Sequence, residues 1–211
     1  MDVYLERGAK RVFASAVDWP GYARIGKTDE DAVDTLIDYG DRYASAVSSA
    51  RQGFEAPKTV KVVDRVKGGS GTDFGALSVS PKADDRPVSA REFKRQVALL
   101  KAAWKTFDAM AKTHARKKLS TGPRGGGRSI AKMTGHVLEA DIAYLSSIGA
   151  KHKGTDMDEL RAAFLGRLER HWKGEPIENK RQSAPWTVRY VVRRSAWHAL
   201  DHAWEIEDRA T

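Results

Sequence analysis

The chain has 211 residues, 41% of them hydrophobic, which is enough for one substantial core or for a small domain joined to a medium one. With no cysteine it can form no disulfide and offer no thiolate as ligand or nucleophile, so any thiol chemistry must use a thiol brought in from outside. Its 37 basic residues against 28 acidic ones leave +9, a balance that suits an anionic partner such as nucleic acid, phosphate or an acidic metabolite.

The first ten residues are charged and lack an apolar central segment. No run approaches the roughly 18 apolar residues a membrane helix needs, so a soluble, unexported, cytoplasmic protein is expected. Val3 to Glu6 and Arg11 to Val17 alternate well enough for two strands around a turn at Gly8, and Tyr22 to Ile25 offers a third. Thr28 followed by Glu30 and Asp31 predicts a capped helix whose apolar stripe of Val33, Leu36, Ile37, Tyr39 and Tyr43 continues to about Val47. Thr59 to Val66 predicts a final strand.

Within this segment Asp18-Trp19-Pro20-Gly21-Tyr22, followed by Gly26-Lys27-Thr28-Asp29-Glu30-Asp31-Ala32, resembles HicB-type antitoxin domains. The resemblance implies a strand, a Pro-Gly turn, a strand and a Thr-capped acidic helix. It does not make the protein an antitoxin, because such small α+β domains occur in many fusions. Residues 1–67 are thus read as a HicB-like α+β domain. Residues 68–88, rich in Gly, Ser, Asp and Pro, are read as a linker.

Four helices are predicted beyond it. Ser89 caps the first, with Phe93, Val97, Leu100, Trp104 and Phe107 at helical spacing to about Thr113. The second runs from about Ser129 to Ser147 and stops at Gly149, and the third opens at Asp156 and ends at Gly174. The fourth spans about Thr187 to Arg209. The expected fold is therefore an α+β N-terminal small domain followed by an all-α four-helix bundle over residues 89–211.

His198 and His202 are four residues apart on the last predicted helix, about 6 Å along its axis and about 40° around it, a geometry that suits two ligands of one metal ion. Their face continues through Val188, Val191 and Ser195, so the imidazoles should point inward, where a metal or hydrogen-bonding neighbours must satisfy them. His136, on the second helix with Met133 and Ala140, can supply a third ligand. Three imidazoles leave coordination positions open, as catalytic rather than structural sites do. Neutral histidines packed without metal are the competing reading. His114, His152 and His171 are set aside as end-of-helix or packing residues.

The segment from Arg194 to Arg209, including Trp197-His198-Ala199-Leu200-Asp201-His202-Ala203-Trp204-Glu205, together with Gly135-His136-Val137-Leu138-Glu139-Ala140-Asp141, resembles the DinB superfamily over about Ser89 to Arg209. That resemblance implies a four-helix bundle in which His136, His198 and His202 bind a divalent metal. Its characterised branches include transferases and isomerases using low-molecular-weight thiols such as mycothiol or bacillithiol, besides many members with no known activity. Ligating histidines usually donate their second ring N–H to a carboxylate, which makes Glu139, Asp141, Asp201 and Glu205 candidate acceptors.

The loop Gly122-Pro123-Arg124-Gly125-Gly126-Gly127-Arg128-Ser129 leads into the helix bearing His136. Its glycines let backbone N–H groups approach an anion, with Arg124 and Arg128 adding charge for an acidic substrate or the carboxylates of a thiol cofactor. A plain helix connection is the alternative.

The first reading is a metal-dependent transferase or hydrolase acting on a small molecule, with zinc, nickel or iron as the ion and a homodimer among the expected assemblies. The second is a non-enzymatic module that binds nucleic acid or protein through its basic face and HicB-like domain.

Overall fold

The computed structural model describes residues 1–121, 129–177 and 184–211. Its N-terminal part is a mixed sheet of β1 (Asp2–Arg7), β2 (Val12–Ala16), β3 (Ala23–Gly26) and β4 (Lys61–Lys67), in the order β3-β2-β1-β4. β1 and β2 form an antiparallel hairpin, β2 and β3 are also antiparallel, and β4 joins β1 in parallel with a bulge at Val3/Tyr4. These strands fall where period-two alternation places them.

Helix α1 (Asp29–Asp38) is capped by Thr28, whose hydroxyl accepts the N–H of Asp31. The single helix expected to reach Val47 is divided in two at Tyr39, beyond which α2 covers Gly40–Val47. Tertiary contacts impose the break. The buried Tyr22 hydroxyl donates to the Leu36 carbonyl at 2.5 Å. At Gly40 a Cβ would stand 2.7 Å from that of Ala56, so only glycine admits the approach.

Every position of β2 and residues 3–6 of β1 are buried, because both faces of the sheet are covered. Val3, Leu5, Val12 and Ala14 share a core with Ala32 and Leu36 of α1. Tyr4, Phe13, Val17 and Ala23 pack against Leu77 and Trp197 on the opposite face. Leu77 belongs to the stretch whose composition marks a linker, and that stretch is packed in place. It holds a short helix, α3 (Ser70–Phe74), and a 3-10 turn at Lys82–Asp85. The buried Glu6 carboxylate anchors it, accepting the Thr72 hydroxyl at 2.6 Å, the Ser78 hydroxyl at 2.8 Å and the backbone N–H of Val79 at 3.1 Å. Polar residues that resemble a linker in composition here satisfy one another by side-chain and backbone hydrogen bonds.

Four long helices complete the chain: α4 (Ala90–Thr113), α5 (Ile130–Ser147), α6 (Met157–Trp172) and α7 (Val188–Arg209). Each begins close to the expected start, and Ser89, predicted as a cap, is joined by Ser129, Asp156 and Thr187 in accepting backbone N–H groups from their first turns. α7 packs along α4 and α5 and touches α6, while Trp197 on its other side meets Phe13 of the sheet edge-on at 5.7 Å. Being flanked all round, α7 is buried along most of its length. Arg193 fastens it to the N-terminal part through the carbonyls of Ala16 and Val17 and a buried ion pair with Asp84 at 2.7 Å. The Pro20-Gly21 turn also lies on α7: Gly21 has φ +90, and a Cβ there would reach Leu200 at 3.0 Å. No helix among the described residues is long and apolar enough to cross a membrane.

Candidate metal centre

His136 projects from the second turn of α5, and His198 and His202 from consecutive turns of α7. His136 meets His202 with ring centroids 5.0 Å apart, and eight residues further along α5 Tyr144 meets Arg194, so the two helices run antiparallel. This arrangement joins residues 62 positions apart in sequence at one point.

Nε2 of His198 lies 3.2 Å from Nε2 of His136 and 3.2 Å from Nε2 of His202. All three candidate ligand atoms fall within 4.8 Å of one another, and among the described residues this is the one such group of three. His198 and His202 are only 7% and 8% exposed, while His136 is half-buried. A metal–nitrogen bond of about 2.05 Å converts the 3.2 Å separations into N–metal–N angles of about 100°, between octahedral and tetrahedral values.

Nε2 of His198 carries either one N–H or one lone pair, so protons alone give it one well-aligned hydrogen bond to one of its two ring neighbours. A shared cation accepts all three lone pairs at once. The tautomer of His202 agrees, since its Nδ1 faces Glu205 Oε2 at 2.9 Å. A proton held on Nδ1 by that carboxylate leaves Nε2 as a lone pair aimed at the common point. The residues therefore fit a metal ion, and the group could hold one.

Of the four carboxylates expected to accept a ring N–H, Glu205 does so. Arg209 ion-pairs with Glu205 and also donates to the Ser120 carbonyl, tying the site to the segment after α4. Asp201 turns to Arg24 at 3.2 Å, and Glu139 is exposed. Asp141 is fully buried and accepts the Ser195 hydroxyl at 2.6 Å, while Ser195 in turn accepts the Trp104 indole N–H at 3.1 Å. Burial pushes the Asp141 carboxyl up to about 7. His114 and His171 are engaged with the backbone carbonyls of Met110 and Trp186 instead. Arg124 and Arg128 lie outside the described residues.

Sequence reasoning missed two groups beside the histidines. Tyr144 stands edge-on to His198 at 6.0 Å, and Arg194 continues the 198, 202 spacing one turn earlier. Extending the four-residue period backwards would have found the arginine. Tyr144 carried no such signal.

No family model, curated protein or solved structure matches the chain.

Proposed function

We propose that the chain is a divalent-metal-dependent enzyme of the DinB type, acting as a transferase or hydrolase on a small molecule, with a low-molecular-weight thiol as a candidate co-substrate. The convergence of three Nε2 atoms in a largely buried seam, with Glu205 fixing the tautomer of His202, is the observation that supports this reading. On this reading α4 to α7 are the four-helix bundle of that superfamily, and the N-terminal sheet is a HicB-like unit serving dimerisation or substrate access.

His136, His198 and His202 would hold the ion, which supplies Lewis acidity toward a thiol or water and lowers its pKa. Glu205 holds the proton of His202 on Nδ1. Arg209 orients Glu205 through their ion pair. The apolar neighbours of α5 and α7 keep water from the back of the seam. The absence of any cysteine means that a thiolate nucleophile would be brought in from solution.

Elemental analysis of the purified protein beside His136→Ala and His198→Ala tests the reading. Near-stoichiometric zinc, nickel or iron in the parent and its loss from both variants is expected. Equal trace amounts in all three would leave packed histidines only. A metal-loaded protein inert toward a broad panel of thiols and hydrolysable substrates would also remove the enzymatic part.

One observation favours the nucleic-acid reading. Lys94, Lys101, Lys105 and Lys112 lie exposed on α4 within about 40° of one another around its axis. The acids of that helix are engaged elsewhere, Glu92 with Arg189 and Asp108 with Arg161. Binding through this stripe would weaken steeply between low and physiological salt.

A further inference from the structure

Arginines drawn into the interior from α6 and α7 have carboxylate partners. Arg161 faces Asp108, Arg167 faces Glu175, Arg189 faces Glu92 and Arg193 faces Asp84. Arg194 faces no carboxylate among the described residues. Its guanidinium carbon lies 5.4 Å from the Tyr144 ring centroid, 5.2 Å from that of Trp197 and 6.0 Å from that of Trp186. Nη2 donates to the Tyr144 hydroxyl at 3.3 Å, whereas Nε and Nη1 are buried without a hydrogen-bond acceptor in the protein, although the residue as a whole is only partly buried.

A guanidinium in such surroundings exchanges part of its hydration for aromatic contacts, and a buried donor without a protein acceptor calls for a partner from outside the chain, a water or a ligand. The aromatic faces hold the cation in place by its attraction to their π-clouds. They leave its planar fork, suited to bidentate pairing with an oxyanion, without its natural partner.

Position indicates what that partner serves. Arg194, His198 and His202 follow one another at four-residue spacing, so the guanidinium belongs to the same α5–α7 seam as the three imidazoles, about 6 Å from His198 along the helix axis. Tyr144 touches both, its ring standing 6.0 Å from that of His198. We infer that Arg194 is the receptor for a carboxylate of the molecule acted on at the histidine centre, a small acid whose carboxylate lies about one helical turn from its metal-seeking atom. This inference rests on the metal-centre reading and adds a substrate class to it. The carboxylate belongs either to the substrate or to a thiol co-substrate, since both offer the same chemistry.

The test compares parent, Arg194→Gln and Arg194→Lys, each loaded with cobalt(II), titrated with glutarate, 3-mercaptopropionate and the neutral thiol 2-mercaptoethanol and followed by cobalt absorption. Equal cobalt content is expected throughout. Affinity for at least one carboxylate should fall tenfold or more in Arg194→Gln and severalfold in Arg194→Lys, which keeps the charge but loses the fork. 2-Mercaptoethanol should bind all three proteins alike. Glutarate binding assigns the pocket to a substrate carboxylate, and binding of 3-mercaptopropionate alone assigns it to a thiol co-substrate. Unchanged affinity in the variants, or no saturable binding of either carboxylate to the parent, overturns the inference. Should Arg194→Gln fail to fold, the Arg194→Lys comparison decides by the same criteria.

If the parent takes up no cobalt, the metal reading fails by itself. Tryptophan emission of the metal-free proteins then decides the arginine, because Trp186 and Trp197 flank it. A saturable glutarate-dependent change in the parent that Arg194→Gln lacks supports the anion site, and identical responses refute it.

Discussion

The Nδ1 proton of His202 shows how one side chain sets the chemistry of another. Glu205 accepts it, Arg209 holds Glu205, and Arg209 is itself anchored on the Ser120 carbonyl. Replacing Glu205 with Gln keeps the shape but weakens the pull on that proton, so metal affinity should drop roughly 10- to 100-fold. Competition with a chromophoric chelator measures it, and an unchanged dissociation constant would show that the carboxylate has no part in orienting the ring.

Asp141 illustrates burial without a counter-charge at hydrogen-bonding distance. Its carboxyl is raised from the ordinary 3.8 to about 7, chiefly by desolvation. The folded chain therefore keeps a proton that the unfolded chain releases. Its stabilising contribution is complete at low pH, is lost at roughly 1.4 kcal/mol per pH unit as pH rises from about 4 to about 7, and is absent above that. Asp141→Asn, which can still accept the Ser195 hydroxyl, should abolish this slope and make the variant the more stable form at pH 8. Urea unfolding of both proteins across that range gives the difference directly, and parallel curves would contradict the assignment.

At the scale of elements, α7 organises the molecule. One side carries His198 and His202 toward α5, another meets α4, and a third lies on the sheet through Trp197, the Pro20-Gly21 turn and Arg193. Arg193→Ala would strand the Asp84 carboxylate in the interior, which costs about 3–5 kcal/mol. Replacing both members with apolar residues, as in Arg193→Met with Asp84→Leu, should recover most of that loss. Denaturant midpoints of the single and double variants test the pair, and a single variant as stable as the parent would show that the carboxylate reaches water.

For the whole molecule, the sheet and the long helices share buried side chains: Val3 and Leu5 belong to the same cluster as Leu99, Val191 and Leu200. Residues 68–88 seal the second face of the sheet against α7 through Leu77 and Asp84. The full chain should accordingly unfold in one cooperative step, with far- and near-ultraviolet dichroism coinciding. A fragment of residues 89–211 should be markedly less stable, because Trp197, Leu200 and Arg193 would lose their cover. Two separate transitions, or a fragment melting like the full chain, would establish independent units instead.

Local signals in the sequence carried most of the secondary structure. Strand alternation, the Ser89 cap, the helix starts near Ser129, Asp156 and Thr187 and the stop at Gly149 reflect interactions among near neighbours, so they are legible without a fold. The four-residue spacing of His198 and His202 was equally local, and it was enough to nominate a metal face. What tertiary packing decided was everything that depends on distant partners. It broke the first helix at Tyr39, drew a polar stretch resembling a linker onto the sheet and brought His136 to the other two rings. It also selected Glu205 from four carboxylates and left Arg194 among aromatic rings with no acid beside it among the described residues. These outcomes depend on which surfaces meet, and a one-dimensional pattern records only what each surface is made of.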